Sequence, residues 1–426
     1  TLSSESFNFD VTEIEIKENG NIFKGKNKGT ATSIDGTKID ANNFEYDKIK
    51  NILISSGKVE IFDPKNNVTI YSDKVTYFKN DELIFADGNS RAVGTNFQID
   101  AKKFEYDKIK NILISSGKVE IFDPKNNVTI YSDKVTYFKN DELIFADGNS
   151  RAIDDQVEIN AKKFEYDKLN NIIYAKGNVK INNKIENYLI FSENITYNKK
   201  NRKVTTKNNS RAISEGILVK ADIFSYDQNQ NILEAKGNVI IEDKIQDYIL
   251  DSEYINYDRN LQKIFTRGKT KALINSKYEF NSNNVFLDRK LKELKSDHIS
   301  TIRDDNYNFY KLSNFLYFYE KKLLRGNDIE VESNYKKENN DKFYFKNSFI
   351  NFSDKSYLSK DTKINIHKKV FDKERKLEND QKSIFEGEND PRIYGASSTG
   401  NEDIIVLNKA IFTSCKKSNN CPAWSI

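Results

Sequence analysis

The sequence has little of what metal sites, catalytic centres and membrane helices are built from. Its 426 residues include two histidines, His298 and His367, far apart along the chain, and two cysteines, Cys415 and Cys421, both close to the C-terminal end. Metal sites draw such side chains from short, defined spacings. None is present, and there is no phosphate-binding glycine loop or nucleophile elbow either. No catalytic residue, metal or cofactor is therefore assigned, and an enzyme is not expected. No stretch approaches the roughly 18 consecutive apolar residues that a membrane-spanning helix requires. Charge of one sign is not concentrated: 68 Lys+Arg stand against 64 Asp+Glu without a long run of either, which makes nucleic acid a poor partner. Methionine is absent altogether, so the initiator and any signal peptide are expected to have been trimmed or to lie outside the chain.

Hydrophobic content is also modest, 37%, with a mean hydropathy of -0.73. That is too little for thick stacked cores, and a thin architecture is expected. Disorder is not, because 23 Tyr and 28 Phe recur at regular places.

What the chain does have is a repeat. Residues 44–92 return unchanged at 104–152, and the pattern continues more loosely for two further 60-residue periods. Phe44-Glu45-Tyr46-Asp47 becomes Phe104-Glu105-Tyr106-Asp107, Phe164-Glu165-Tyr166-Asp167 and Phe224-Ser225-Tyr226-Asp227. Gly57, Gly117, Gly177 and Gly237 keep step, as do Gly88, Gly148 and Gly268 in three of the four second halves. A fixed period of this kind signals a stack of like units.

Apolar residues come in pairs two apart: Phe44 and Tyr46, Ile52 and Ile54, Val59 and Ile61, Val68 and Ile70, Val75 and Tyr77, Leu83 and Phe85. That is strand periodicity, and the Asp/Asn/Lys/Pro clusters at 47–51, 63–67 and 79–81 are hairpin loops. A meander of short antiparallel strands with one apolar face must fold over to hide it. The recurring glycines fit strand kinks or bulges at the fold, or ordinary turns. The fold class is thus all-β, an elongated, folded-over antiparallel sheet of short strands in about 60-residue repeats, with residues 5–367 as its body, 368–392 as a highly charged linker and 393–426 as a separate C-terminal segment.

The half-repeat Lys103 to Val119, with Lys-Phe-Glu-Tyr-Asp followed by Gly-x-Val, resembles the OstA-like repeat of lipopolysaccharide-transport proteins. Val406 to Cys415 and then Pro422-Ala423-Trp424-Ser425-Ile426 resemble the segment preceding the barrel in outer-membrane LPS-assembly proteins of the LptD family. The resemblance implies a periplasmic β-jellyroll attached to an outer-membrane barrel with its LptE-like plug. It receives lipopolysaccharide from an LptA-like bridge protein and passes it on, with no cofactor. The barrel itself is not in the sequence, so the chain is expected to be a fragment or a truncated product.

On this reading the groove that covers the acyl chains is lined by Phe44, Tyr46, Val59, Ile61, Val75, Tyr77 and Phe85. Their copies Phe104, Tyr106, Val119, Ile121, Tyr137, Phe145, Phe164, Tyr166, Tyr197, Phe224, Tyr226 and Tyr257 complete the set. The same side chains serve equally as plain core packing. The leading strand, with Phe7, Phe9, Ile14 and Ile16, is expected to take up a strand of the bridge protein, unless Glu13, Glu15 and Lys17 merely blunt that edge. Cys415 matches a family position that forms disulfides to the barrel; Cys421 offers a local alternative. A free-standing LptA-type bridge and a β-solenoid used for adhesion remain the other readings.

Overall fold

The computed structural model describes residues 2–3, 6–337, 340–367, 391–401, 403–414 and 424–425. These residues form two units, Thr1–Glu215 and Gly216–Ile426. Both are built almost wholly of antiparallel strands folded over on themselves as β-jellyrolls.

In the first unit, strands of eleven or twelve residues follow one another: Ile52–Asp63, Val68–Phe78, Leu83–Gly94 and Phe97–Asp107, each paired with the next. Ile112–Asp123, Val128–Phe138, Leu143–Ile153 and Val157–Asp167 repeat the arrangement. The expected hairpin loops are there. Asp47 Oδ1 accepts the backbone N–H groups of Ile49 and Lys50 at 3.0 Å, and Asp63 Oδ1 accepts that of Lys65 at 3.1 Å. Short acceptor side chains of this kind replace a backbone partner and fix the turn.

The strands are longer than the sequence pattern implied, because two apolar pairs lie on one strand with a bulge between them. In Ile52–Asp63 the register shifts between Ser56 and Val59, where Gly57 (φ 79°) and Lys58 (φ 51°) are both left-handed. A Cβ on Gly57 would lie 2.9 Å from the Asn42 side chain. The recurring glycines are therefore bulge residues inside strands and not turn residues. Where the third period lacks a glycine, Asn208 (φ 69°) and Asn209 (φ 49°) do the same work, asparagine being among the side chains that best tolerate this region.

Each bulge bends its strand, so the halves on either side become two facing walls. Contacts between residues about 40 positions apart cross the space between them, as in the Phe97 and Tyr137 rings, 5.1 Å centre to centre. Inside lie Leu53, Ile61, Ile70, Tyr77, Ile84, Ile99 and Tyr137, all essentially inaccessible. Each fully buried aliphatic side chain of this kind contributes about 1.5–3 kcal/mol, which is how a chain this polar holds together.

Two alternations were misread by one residue. In Ile52-Leu53-Ile54 and Leu83-Ile84-Phe85 three apolar residues are consecutive, and the structure buries the central one of each. Phe85, and its copy Phe145, are 39% exposed on the outer face, stacked edge-on against Phe78 and Phe138 at 5.5 Å. They are not interior residues: a strand sends successive side chains to opposite faces, and Ile84 takes the inner one.

The second unit begins in the same manner with Ile217–Ala221, Ile223–Asp227, Ile232–Asp243, Tyr248–Asp258 and Lys263–Ile274. Beyond residue 275 the strands shorten to between three and six residues, as in Tyr278–Asn283, Phe286–Asp288, Glu293–Ser296 and Ser300–Arg303. Longer ones then return in Leu323–Glu332, Lys342–Asn351 and Ser356–Asn365. Arg392, expected to end the charged linker, is the first residue of the strand Arg392–Gly400, which pairs with Ser356–Asn365. Ile405–Thr413 follows it, so residues after 392 extend the same ladder of strands. Residues 368–390, Cys415 and Cys421 lie outside the described residues.

Candidate functional site

The interior between the walls collects most of the residues the sequence pointed to. In the first unit Phe44, Tyr46, Val59, Ile61, Val75, Tyr77, Phe104, Tyr106, Val119, Ile121, Tyr137, Phe164, Tyr166 and Tyr197 all face inward and are buried. In the second unit Phe224, Tyr226 and Tyr257 are buried in the same way. Phe7 and Phe9 also belong to the interior, Phe7 lying 5.2 Å from the Tyr46 ring. Ile14 and Ile16 do not; they are 39% and 51% exposed. Their strand, Phe7–Lys17, pairs with Ile22–Ser33 along one side. On the other, Leu2–Ser3 covers only Asn8 and Phe9, so from Asp10 to Lys17 that edge has no strand partner among the described residues.

Two polar features of this interior were not anticipated. The first is a line of buried hydroxyls at the bends. Ser72 lies 2.9 Å from Ser90, Ser132 3.0 Å from Ser150 and Ser192 3.3 Å from Ser210. Ser72 also donates to the carbonyls of Lys74 and Asp87 at 3.1 and 3.0 Å. A bulge interrupts the ladder and strands backbone carbonyls; the hydroxyls satisfy them. The signal was in the sequence, since these serines keep the same 60-residue step as the glycines.

The second feature spans the mouth, where the turn-bearing rims of the two walls approach. Tyr106 donates to Asp63 and Tyr166 to Asp123, both at 2.9 Å, in each case from one rim to the other. Lys108 Nζ contacts Asp35 and donates to Thr37 at 2.6 Å, Tyr77 at 3.0 Å and Glu82 at 2.9 Å. Lys168 reaches the Asn96 carbonyl at 2.9 Å and Glu142 at 2.8 Å. In the second unit Arg289 holds Asp243 at 2.8 Å and Tyr257 at 3.2 Å. Burial works to raise the Asp35 carboxyl, but hydrogen bonds from Lys108 and Ser33 outweigh it and hold it well below the usual carboxylate range. Glu82 is lowered in the same way, with Lys79, Tyr77 and Lys108 outweighing its burial. Burial, and then Glu82, pushes the Tyr77 phenol far above its ordinary value, so Tyr77 stays a neutral donor and acceptor. These side chains form a latch that repeats along each mouth.

An accessible trough was expected along the repeats. In the first unit the lining side chains are instead shut off from solvent, with the latch across the mouth. The second unit differs: an apolar cavity of about 140 Å³ lies among Tyr310, Val331, Phe343, Phe345, Phe352 and Tyr357, with Asp304, Asp305 and Lys355 at its rim. Among the described residues no cluster of metal-ligating side chains is present, and no helix is long and apolar enough to cross a membrane.

Chemically the arrangement is a two-sided sheet with an oily inside and a polar rim. Comparison with known proteins adds a likeness for part of the chain. Residues 98–203 match the family described as LptA/(LptD N-terminal domain) LPS transport protein. The stretch includes Tyr106, Lys108, Asp123, Tyr137 and Tyr166, so an LptA/LptD-type segment supplies the central part of the latch and of the buried stack. No curated protein matches the chain. Among solved structures, LptH of Pseudomonas aeruginosa, described as the LptA homologous periplasmic component of the conserved lipopolysaccharide transport device, aligns at 15% identity and a TM-score of 0.17. The alignment covers 33% of this chain and 82% of LptH.

Proposed function

We propose that the chain is a periplasmic, lipid-shielding part of the lipopolysaccharide-transport machinery. It takes lipopolysaccharide from an LptA-like bridge protein and delivers it to an outer-membrane barrel carrying an LptE-like plug. The observation that carries this reading is, in each unit, a folded-over sheet with an apolar interior and a polar mouth, in a chain whose residues 98–203 match an LPS transport family. An amphiphile with several alkyl chains suits such a section. Each methylene it buries is worth about 0.8 kcal/mol, and the headgroup stays at the rim.

Because the repeats offer nearly identical cross-sections, a lipid moving from one to the next changes its burial little. Direction must be supplied from outside the chain. The closed-off lining adds a condition: the walls part to admit a tail, and the latch residues Lys108, Lys168 and Arg289 exchange partners as they do. The free edge from Asp10 to Lys17 is the surface on which the bridge protein would add a strand, since strand addition satisfies the open backbone groups of both. Cys415 would pair either with the barrel or locally with Cys421.

Photocrosslinking in cells that make the complete protein tests the reading. A photoreactive side chain at Tyr77 or Tyr137 is expected to capture lipopolysaccharide, and one at Phe85 or Phe145, on the outer face, is not. Capture at the outer positions alone removes the shielding role. The packed interior of the first unit also suits a purely structural β-solenoid, and absence of lipid at all four positions leaves that second reading.

A further inference from the structure

Outside the interior, the outer face of the first unit carries a cross-strand row in which aromatic and planar polar side chains alternate. Glu60, Tyr71, Arg91 and Asp100 stand side by side on successive strands. Glu120, Tyr131, Arg151 and Asn160 repeat the row one period later, and Lys180, Phe191 and Arg211 follow.

The copies are not equivalent. Arg151 lies over the Tyr131 ring at 4.7 Å and Arg211 over Phe191 at 4.4 Å, so each guanidinium covers its aromatic face. Arg91 is drawn the other way, its Nε 2.6 Å from Asp100 Oδ1, and Tyr71 is left 41% exposed. The cause is one residue. Position 100 lies between the two identical blocks and is Asp, whereas position 160 is Asn, which cannot compete for the cation. Gln98 completes the array by donating to Asp100 Oδ2 at 2.8 Å.

Over this place, and bounded by the bulges at Asn89 and Gly117, lies an open groove of about 820 Å³ whose floor includes Tyr71, Arg91, Asp100 and Glu120. That is within the range of small-molecule clefts, about 300–1,000 Å³. We propose that this groove is a saccharide-binding site: the bare tyrosine face stacks on the C–H face of a sugar ring, and Arg91, Gln98 and Asp100 take its hydroxyls. An apolar ligand would leave these planar groups unsatisfied. The site is separate from the interior and does not depend on lipid passing through it.

The test is titration of the full chain with two soluble saccharides, followed by calorimetry or ligand-observed NMR. One is the sugar portion of lipopolysaccharide freed of its lipid by mild acid; the other is a solubilised cell-wall glycan. Binding of either supports the site and identifies the source. Tyr71→Ala is expected to weaken binding at least tenfold and Tyr71→Phe to leave it nearly intact. Asp100→Asn, which frees Arg91 to settle on Tyr71 as its counterpart does on Tyr131, is expected to weaken it several-fold. Tyr131→Ala, on the covered copy, is expected to have no effect. If neither saccharide binds, or if Tyr131→Ala is as harmful as Tyr71→Ala, the proposal is overturned.

Discussion

The two units solve the same folding problem with different regularity. The first keeps its 60-residue step: bulge glycines, hydroxyl pairs and rim cations return at fixed intervals, and the described lining is shut off from solvent. The second keeps step only to about residue 275, after which strands shrink to as few as three residues and the inner face later opens on an apolar cavity. Periodicity makes neighbouring rungs complementary, because each side chain meets the copy of a partner already fitted. Where the period drifts, that complementarity has to be found afresh, and space is left over.

Breaking the rim pairs gives the largest contrast between the units. Arg289→Met leaves Asp243, whose side chain is fully buried, without its cation and is expected to destabilise the second unit by about 3–5 kcal/mol, read by hydrogen exchange across Ile232–Asp258. Lys108→Met is expected to lower stability less, since Asp35 and Glu82 keep 35% and 22% exposure and Lys79 stays 3.3 Å from Asp35. The same acids set a pH dependence. Their folded pKa values lie below the unfolded ones, so their contribution is complete above the ordinary carboxylate range. It is lost as pH falls through the lowered folded values, and acid unfolding of wild type against Lys108→Met measures it.

Removing one hydroxyl sharpens the comparison. Tyr166→Phe in the first unit gives up a bond to a carboxylate and is expected to lose about 1.5–3 kcal/mol. Tyr248→Phe in the second is expected to be neutral or slightly stabilising, because that buried hydroxyl has no hydrogen-bond partner among the described residues; denaturant midpoints of the two variants decide. Smaller again is the cost of a Cβ at the bulges. Gly268→Ala meets nothing within 4 Å and is expected to lose only the left-handed penalty, about 1–2 kcal/mol. Gly148→Ala is expected to lose somewhat more in thermal melts, because its Cβ would sit 2.6 Å from Asp133. The smallest effect is expected from the largest change. Deleting residues 93–152 joins Ala92 to Ile153 and removes one whole period; near-unchanged circular dichroism and cooperative melting show that a period is a free-standing increment of length.

Much of this was legible beforehand. Strand type, hairpin loops and the inward set from Phe44 to Tyr257 follow from spacing, since a strand's faces alternate and the oily one must be hidden. Misreading came where three apolar residues run together, as at Leu83-Ile84-Phe85, because alternation then has two solutions. The hydroxyl line at Ser72, Ser132 and Ser192 was readable but looked like surface polarity until the bulges gave it carbonyls to satisfy. The Lys108 and Asp35 contact joins residues 73 apart, a separation at which nothing in the local pattern marks a pair.

The duplicated block separates what sequence determines from what it does not. Residues 44–92 and 104–152 are the same string, and they form the same strands, turns and bulges, because those depend on neighbours along the chain and on φ, ψ preferences carried by each residue. Yet Lys48 is exposed while Lys108 is buried, and Tyr46 bonds to its own Asn51 while Tyr106 crosses to Asp63. Lys108 and Tyr106 have an opposite rim within reach, at Asp35 and Asp63. What a side chain becomes depends on what the fold sets across from it, and only the tertiary structure decides that.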